Sequence, residues 1–292
     1  MVIQERRLYA PPPDSVTGIM MRLSIGTAWD ETKSALARNR RLVVPVALGL
    51  ILVPAVVSAM VEPRTAPGEQ PEAGWWMAIT LVMVILMLVG QMAIVLLSSG
   101  WQGSVGEAIR RSLRRLPTLI FAALIVMVPL ILFLTLLVAL IGMSAADASL
   151  SAASLSPTGW LVLLIGFLAI FAVSVRLIPL VVLVASEDLG SVATLKRAVA
   201  LTSGHFWKLL AFVLLAVLAF VVAAAAVGVV IGSLISLALG QPEPWSVSLL
   251  LLALAAGLVQ AAFVTLYTAM LARITSQLSA GSPGVPEVGR AK

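Results

Sequence analysis

Three polar side chains stand inside long apolar runs of this sequence: Gln91, Arg176 and Gln260. An arginine at mid-bilayer depth costs about 2.5–3.5 kcal/mol on insertion scales, so its presence calls for a reason. One reason is chemistry. A buried cation binds an anionic group or pairs with a carboxylate, and two amides at matching depth would complete a polar site for a small or anionic solute. The other reason is position. Arg176 lies 16 residues after Trp160. At about 1.5 Å per residue, that is about 24 Å into a hydrocarbon core of about 30 Å. From there the side chain reaches the headgroups by snorkelling. Gln91 and Gln260 likewise admit either a site shared with Arg176 or simple hydrogen bonds between helices.

Other residues offer less. Glu187 and Asp188 are adjacent carboxylates that would bind a metal or act as acid and base at the membrane surface. The plainer expectation is that they favour the start of the following helix, where negative charge suits the helix dipole. His205 is the only histidine, and metal sites recruit several ligands. With no cysteine in the chain, disulfides, thiolate ligands and thiol nucleophiles are excluded. Phosphate-cradling Gly-x-x-x-x-Gly-Lys-Ser/Thr, Gly-x-Ser-x-Gly and His-Glu-x-x-His patterns are absent. The expectation is a chain with no catalytic residue, no metal ligand and no cofactor.

The elements that hold these residues follow from composition. The 292 residues are 61% hydrophobic and 11% charged, against a charged share of about 25% in soluble domains. Apolar residues gather in six runs, at 42–61, 75–97, 117–143, 160–185, 207–239 and 245–271. Each is long enough to cross a bilayer, which takes about 20 residues. The fifth is longer than needed and must tilt, bend or protrude; Gly228, Gly232 and Ser233 suit bending or close packing. Residues 1–23 carry Arg6, Arg7 and Pro11–Pro13 without an apolar core of signal-peptide length. They read as a disordered tail, with the first span as an uncleaved insertion signal, and residues 279–292 read as a second tail. Between these tails, 24–278 forms one six-span membrane domain, too short to hold a soluble catalytic domain as well.

The basic residues give the orientation. Lys33, Arg38, Arg40 and Arg41, then Arg110, Arg111, Arg114 and Arg115, then Lys196, Arg197 and Lys208, then Arg273 all flank one end of the spans. Connections 62–74, 144–159 and 240–244 contain Arg64 and otherwise only acidic charges. The positive-inside rule puts the first set, and with six spans both termini, in the cytoplasm. The net charge of +6 therefore reads as membrane-flanking charge rather than a nucleic-acid surface.

The sequence also reads as three parallel repeats, at about 24–98, 103–185 and 190–272. Trp75, Trp160 and Trp245 are 85 residues apart both times, and Gln91, Arg176 and Gln260 follow them by 16, 16 and 15 residues. Each unit is an amphipathic helix followed by a helical hairpin, and parallel repeats pack around an axis along the membrane normal. In the second unit, Val105, Ala108, Ile109, Leu113 and Leu116 form an apolar face opposite the four arginines. Ser104 and Glu107 fit a capping box. Such a helix would lie in the interface with Arg110, Arg111, Arg114, Arg115, Lys196 and Arg197 near the phosphates of anionic lipids.

Residues 176–208 carry a further pattern: Arg176-Leu-Ile-Pro179, an apolar stretch, Glu187, then Ala193-Thr-Leu-Lys-Arg-Ala-Val-Ala-Leu-Thr202-Ser-Gly204-His-Phe-Trp-Lys208. This resembles the membrane domain of bacterial glycerophosphoryl diester phosphodiesterases, a domain that also occurs alone. It departs at Ala198, where the family pattern has Ser. In that family the hydrolase activity belongs to a separate soluble barrel with its own metal ligands. The resemblance thus implies a bacterial inner-membrane protein without hydrolase activity of its own. The reading is an all-α, polytopic six-helix bundle that organises anionic lipids or an unidentified protein partner at its cytoplasmic face. The alternative is a transporter or channel for a small or anionic solute.

Overall fold

A computed structural model describes residues 25–63, 72–144 and 157–280. The expected tail 1–23 and most of that expected from 279 lie outside the described residues, as do parts of two connections, 64–71 and 145–156. All regular structure among the described residues is helical. Among the described residues six helices are long and apolar enough to cross a membrane, so the protein is an integral membrane protein of multi-pass type.

The first span is one 37-residue helical path, Ile25–Val61. It comprises α1 (Ile25–Ala47), a π-helical turn (Leu48–Leu52) and α2 (Val53–Val61). The widened turn has a local cause. The Val53 N–H reaches back to the Leu48 carbonyl, and Pro54, which follows, has no N–H to continue the ladder. The second span is α3 (Trp75–Ser98). The third is α4 (Val105–Ser144), 40 residues without a break. The fourth is α5 (Pro157–Leu177) followed by α6 (Leu180–Ser186), divided at Ile178–Pro179. A short α7 (Ser191–Thr202) precedes the fifth span, α8 (Phe206–Leu239), and α9 (Val247–Ala280) is the sixth.

The amphipathic segments correct one expectation. Only α7 is a separate helix; the basic segments of the first two units are the opening turns of α1 and α4. The reason lies in the punctuation. Gly204, at φ +86°, lets α7 stop and the chain turn before α8, a conformation costly for residues with a Cβ. No glycine stands between Gly106 and Gly142, so α4 runs through Pro117 and Pro129.

The buried stripe of α4 is Ala108, Ser112, Leu116, Leu119 and Ala122, at the three- and four-residue spacing of one helix face. It packs on α3, α6 and α7, so it faces protein. Leu113, expected on the apolar face, is 55% exposed. Ser112 is buried in its place, its hydroxyl donating to the Ala108 carbonyl at 2.9 Å.

In the middle of the bundle α3, α6 and α9 pack on one another. The first span lies against α3 and α9, α4 against α3 and α6, and α8 against α9 and α5. The core draws on the last turns of α3 (Met92–Leu97), on Val182–Ala185 of α6, and on Met270, Leu271 and Ile274 of α9. It therefore gathers at the basic end. Elsewhere the helices are thinly covered: 39% of the most apolar window is buried in each of the first two spans, but only 6% in α8. The 34 residues of α8 run unbroken; Gly228 has open space beside it, and Gly232 meets only Leu252 at 3.7 Å.

The three marker tryptophans occupy different places. Trp75 opens α3, Trp160 lies in the first turn of α5, and Trp245 precedes α9 with φ +63°. The start of α9 is set by Ser246, whose hydroxyl accepts the Leu249 N–H at 3.1 Å, an N-cap.

Candidate functional site

The arginine cluster at the basic end is positioned by the stop of one helix and the start of the next. Helix α3 ends at Gly100 (φ +91°), with the Trp101 N–H bonded back to the Leu96 carbonyl at 3.3 Å. This is the six-to-one closure that a left-handed glycine permits. Helix α4 then starts with a reciprocal cap. The Ser104 N–H donates to Glu107 Oε2 at 3.0 Å, and the Glu107 N–H donates to Ser104 Oγ at 3.2 Å, as the spacing predicts. Trp101, between the two, donates through Nε1 to the Ser104 carbonyl at 3.3 Å.

Arg110, Arg111, Arg114 and Arg115 follow within the first turns of α4. Arg111 and Arg115, one turn apart, lean toward Asp188: Arg115 pairs with it directly, and Arg111 Nη2 lies 3.7 Å from it. Arg111 also donates to the Ser186 carbonyl at 3.4 Å, at the end of α6, and covers the Trp101 ring at 5.6 Å. A cation suits both partners, a helix C-terminus and an aromatic face. Arg110 and Arg114, also one turn apart, are exposed, with no ion pair or hydrogen bond to the described residues. Together the four arginines, Trp101, Glu107 and Asp188 line an open pocket of about 450 Å³. Four guanidiniums face two carboxylates, a formal excess of two positive charges. That excess charge is the electrostatic character an anion such as a phosphate is drawn to.

The expectation that Glu187 and Asp188 favour the start of the next helix meets a different outcome. Helix α7 begins at Gly190 without a side-chain cap. Asp188 is taken by the α4 arginines, and Glu187 Oε2 lies 2.8 Å from Arg197 Nε, close enough for an ion pair though out of line for a hydrogen bond. Lys196, beside Arg197, is exposed and points to a second groove.

That groove contains Arg176. It measures about 610 Å³ and is bounded by Val126 of α4, Val173 and Leu177 of α5, and Lys196 and Val199 of α7. The Arg176 carbonyl accepts a bond from Thr202 Oγ1 at 3.4 Å. Arg176 therefore lies level with the corner between α7 and α8, at the basic end of the spans.

Gln91 and Gln260 do not line this groove. Both are half-buried, on α3 and α9, and neither amide has a hydrogen-bond partner among the described residues. His205 precedes α8, its backbone carbonyl accepting the Leu209 N–H at 3.1 Å.

Sequence reasoning missed Trp101 and Asn39 at this end and read Arg273 only as a flanking charge, so three residues gain a role from the structure. Trp101 is one; its signal was an aromatic placed between a helix-stopping glycine and a capping box. The other two secure α3. Asn39 donates to the Leu97 carbonyl at 2.8 Å, and Arg273 to the Ser98 carbonyl at 2.8 Å, which ties α1 and α9 to the end of the central helix. No family model matches the chain, and no similar curated protein or solved structure was found.

Proposed function

We propose that this is a non-enzymatic protein of a bacterial inner membrane, with both termini cytoplasmic, whose basic end gathers anionic lipid. The observation that carries the reading is the split of the α4 arginines. Arg111 and Arg115 are fixed by Asp188, Ser186 and Trp101, while Arg110 and Arg114 stand exposed beside them, with no ion pair to the described residues. A fixed pair with a free pair beside it holds open a positive surface at headgroup level, where each basic residue contributes about 1 kcal/mol of attraction to an anionic leaflet. The like charge of the neighbouring basic segments supports a cytoplasmic side for this end. The resemblance over 176–208 supports the inner-membrane, non-hydrolytic reading.

The test compares lipid retained by the whole protein in mild detergent. Arg110→Gln with Arg114→Gln is expected to lower phosphatidylglycerol retention and leave phosphatidylcholine retention alone. Equal phosphatidylglycerol retention in the variant and the wild type would reject the reading.

A solute pathway is the second reading. What favours it is the pair of half-buried amides, Gln91 on α3 and Gln260 on α9, without hydrogen-bond partners among the described residues, on helices that meet in the middle of the bundle. Single cysteines at the two positions that react with water-soluble thiol reagents from either side would support it; protection from both sides would remove it.

A further inference from the structure

We propose that the groove between α4, α5 and α7 is a binding site for one anionic glycerophospholipid, its headgroup phosphate held between Arg176 and Lys196. The proposal rests on the reading of the basic end as the headgroup level, but it involves different residues from the α4 cluster.

Three observations carry it. First, the charges are uncompensated. Arg176 and Lys196 line the same groove from two helices, no carboxylate lines it, and neither side chain has an ion pair among the described residues. The nearest acid in sequence, Glu187, is engaged by Arg197, the neighbour of Lys196 on another face of α7. Two cations facing one space without a counter-charge repel each other, and an anion between them relieves this.

Second, the remaining walls are almost wholly apolar. Val126, Val173, Leu177 and Val199 supply surface for a hydrocarbon chain, and a free phosphate ion would leave it uncovered. A molecule with an anionic head and an acyl chain matches both parts.

Third, the depth is right. The bond from Thr202 to the Arg176 carbonyl sets the arginine level with the α7–α8 corner. There Trp207 is 76% exposed at the start of α8, in the belt where aromatic rings meet headgroups. An arginine at this level reaches a phosphate without entering the middle of the bilayer.

The experiment is native mass spectrometry of the whole protein released from detergent micelles. It is titrated separately with phosphatidylglycerol, phosphatidylcholine and inorganic phosphate. The wild type is expected to keep one tightly held phosphatidylglycerol. Arg176→Gln and Lys196→Gln are each expected to weaken that step about tenfold, the scale of one charge-assisted bond. Ala200→Trp, which fills the groove at an exposed position and leaves both charges in place, is expected to abolish it. Intrinsic tryptophan fluorescence on heating shows whether each variant is folded; the groove-filling variant decides the matter where a charge variant is not.

Retention unchanged by Arg176→Gln and by Ala200→Trp overturns the proposal. So does equal retention of phosphatidylcholine, or displacement of the lipid by inorganic phosphate alone. The Arg110→Gln, Arg114→Gln variant separates the two ideas. If it keeps every bound phosphatidylglycerol, weakly held ones included, while Arg176→Gln loses the tight one, the groove stands and the α4 reading fails. The reverse pattern removes the groove and keeps the α4 surface.

Discussion

Gly90 of α3 lies against Leu50 in the π-helical turn of the first span, so closely that a Cβ there would sit 2.8 Å from the Leu50 Cβ and 3.0 Å from its carbonyl oxygen. The obstacle includes backbone, which cannot swing aside. On the other side of the same turn, a Cβ on Gly257 of α9 would meet the Leu52 Cδ1 at 2.8 Å, with the Leu52 carbonyl oxygen at 3.7 Å. The widened turn is thus seated between two glycines from two helices, an arrangement that small residues permit in membrane bundles.

This gives an ordered pair of expectations. Gly90→Ala is expected to destabilise the folded bundle by about 1–3 kcal/mol, the range for overpacking in a filled core. Gly257→Ala is expected to lose less, because a leucine methyl can move to another rotamer. Thermal unfolding in one detergent, followed by tryptophan fluorescence, ranks the two. The opposite order would mean that the turn yields more easily than the leucine.

Removing the polar ties at the end of α3 is expected to loosen the bundle. Arg273→Met leaves the Ser98 carbonyl without its donor, a loss of about 1–3 kcal/mol for a buried acceptor. Asn39→Ala does the same for Leu97. Hydrogen exchange across the last turn of α3 is the direct measurement, and unchanged protection in both variants would show that water takes over the bonds without penalty.

Ser104→Ala breaks the reciprocal cap of α4 and is expected to cost about 1 kcal/mol. The effect is local: the first turn frays and Trp101, bonded to the Ser104 carbonyl, loses its fixed environment. A change in Trp101 emission, measured against a Trp101→Phe control, is the expected signal.

Asp188→Asn releases Arg111 and Arg115 from their shared carboxylate. Because Asp188 is 71% exposed, the effect on stability is expected to stay below about 1 kcal/mol. The charge effect is larger in consequence. The pocket gains a further net positive charge, and phosphatidylglycerol retention by this variant is expected to rise and to become more sensitive to salt. Retention that falls instead would assign Asp188 a positioning role for the arginines that outweighs its charge.

Span number was legible in the sequence because hydrophobic length is a one-dimensional property. Where each helix begins was less so. Val105–Leu116 alone fits an interfacial helix, and the one local hint that α4 continues through Pro117 is the lack of a helix-stopping glycine there. The capping box was readable because its two bonds lie within four residues. The pairing of Asp188 with Arg115 was not, since it joins residues 73 positions apart through the packing of α4 on α6. For the same reason the spacing of Gln91, Arg176 and Gln260 gives an expectation of depth but not a facing direction. Arg176 opens on a groove between α4, α5 and α7, while the glutamines belong to α3 and α9.

The concentration of the core at the basic end bears on how this sequence can change over time. Where most of α8 is left uncovered by the other described helices, one aliphatic side chain serves as well as another, and substitutions there are filtered only for staying apolar. At Gly90, Ser104 and Arg273 the filter is shape or a single bond. Chains diverging from this one are therefore expected to drift fastest along α8 while keeping its length and greasiness. They would hold the inner turns of α3, α6 and α9 almost fixed, a contrast that an alignment of such chains would display as two rates within one protein.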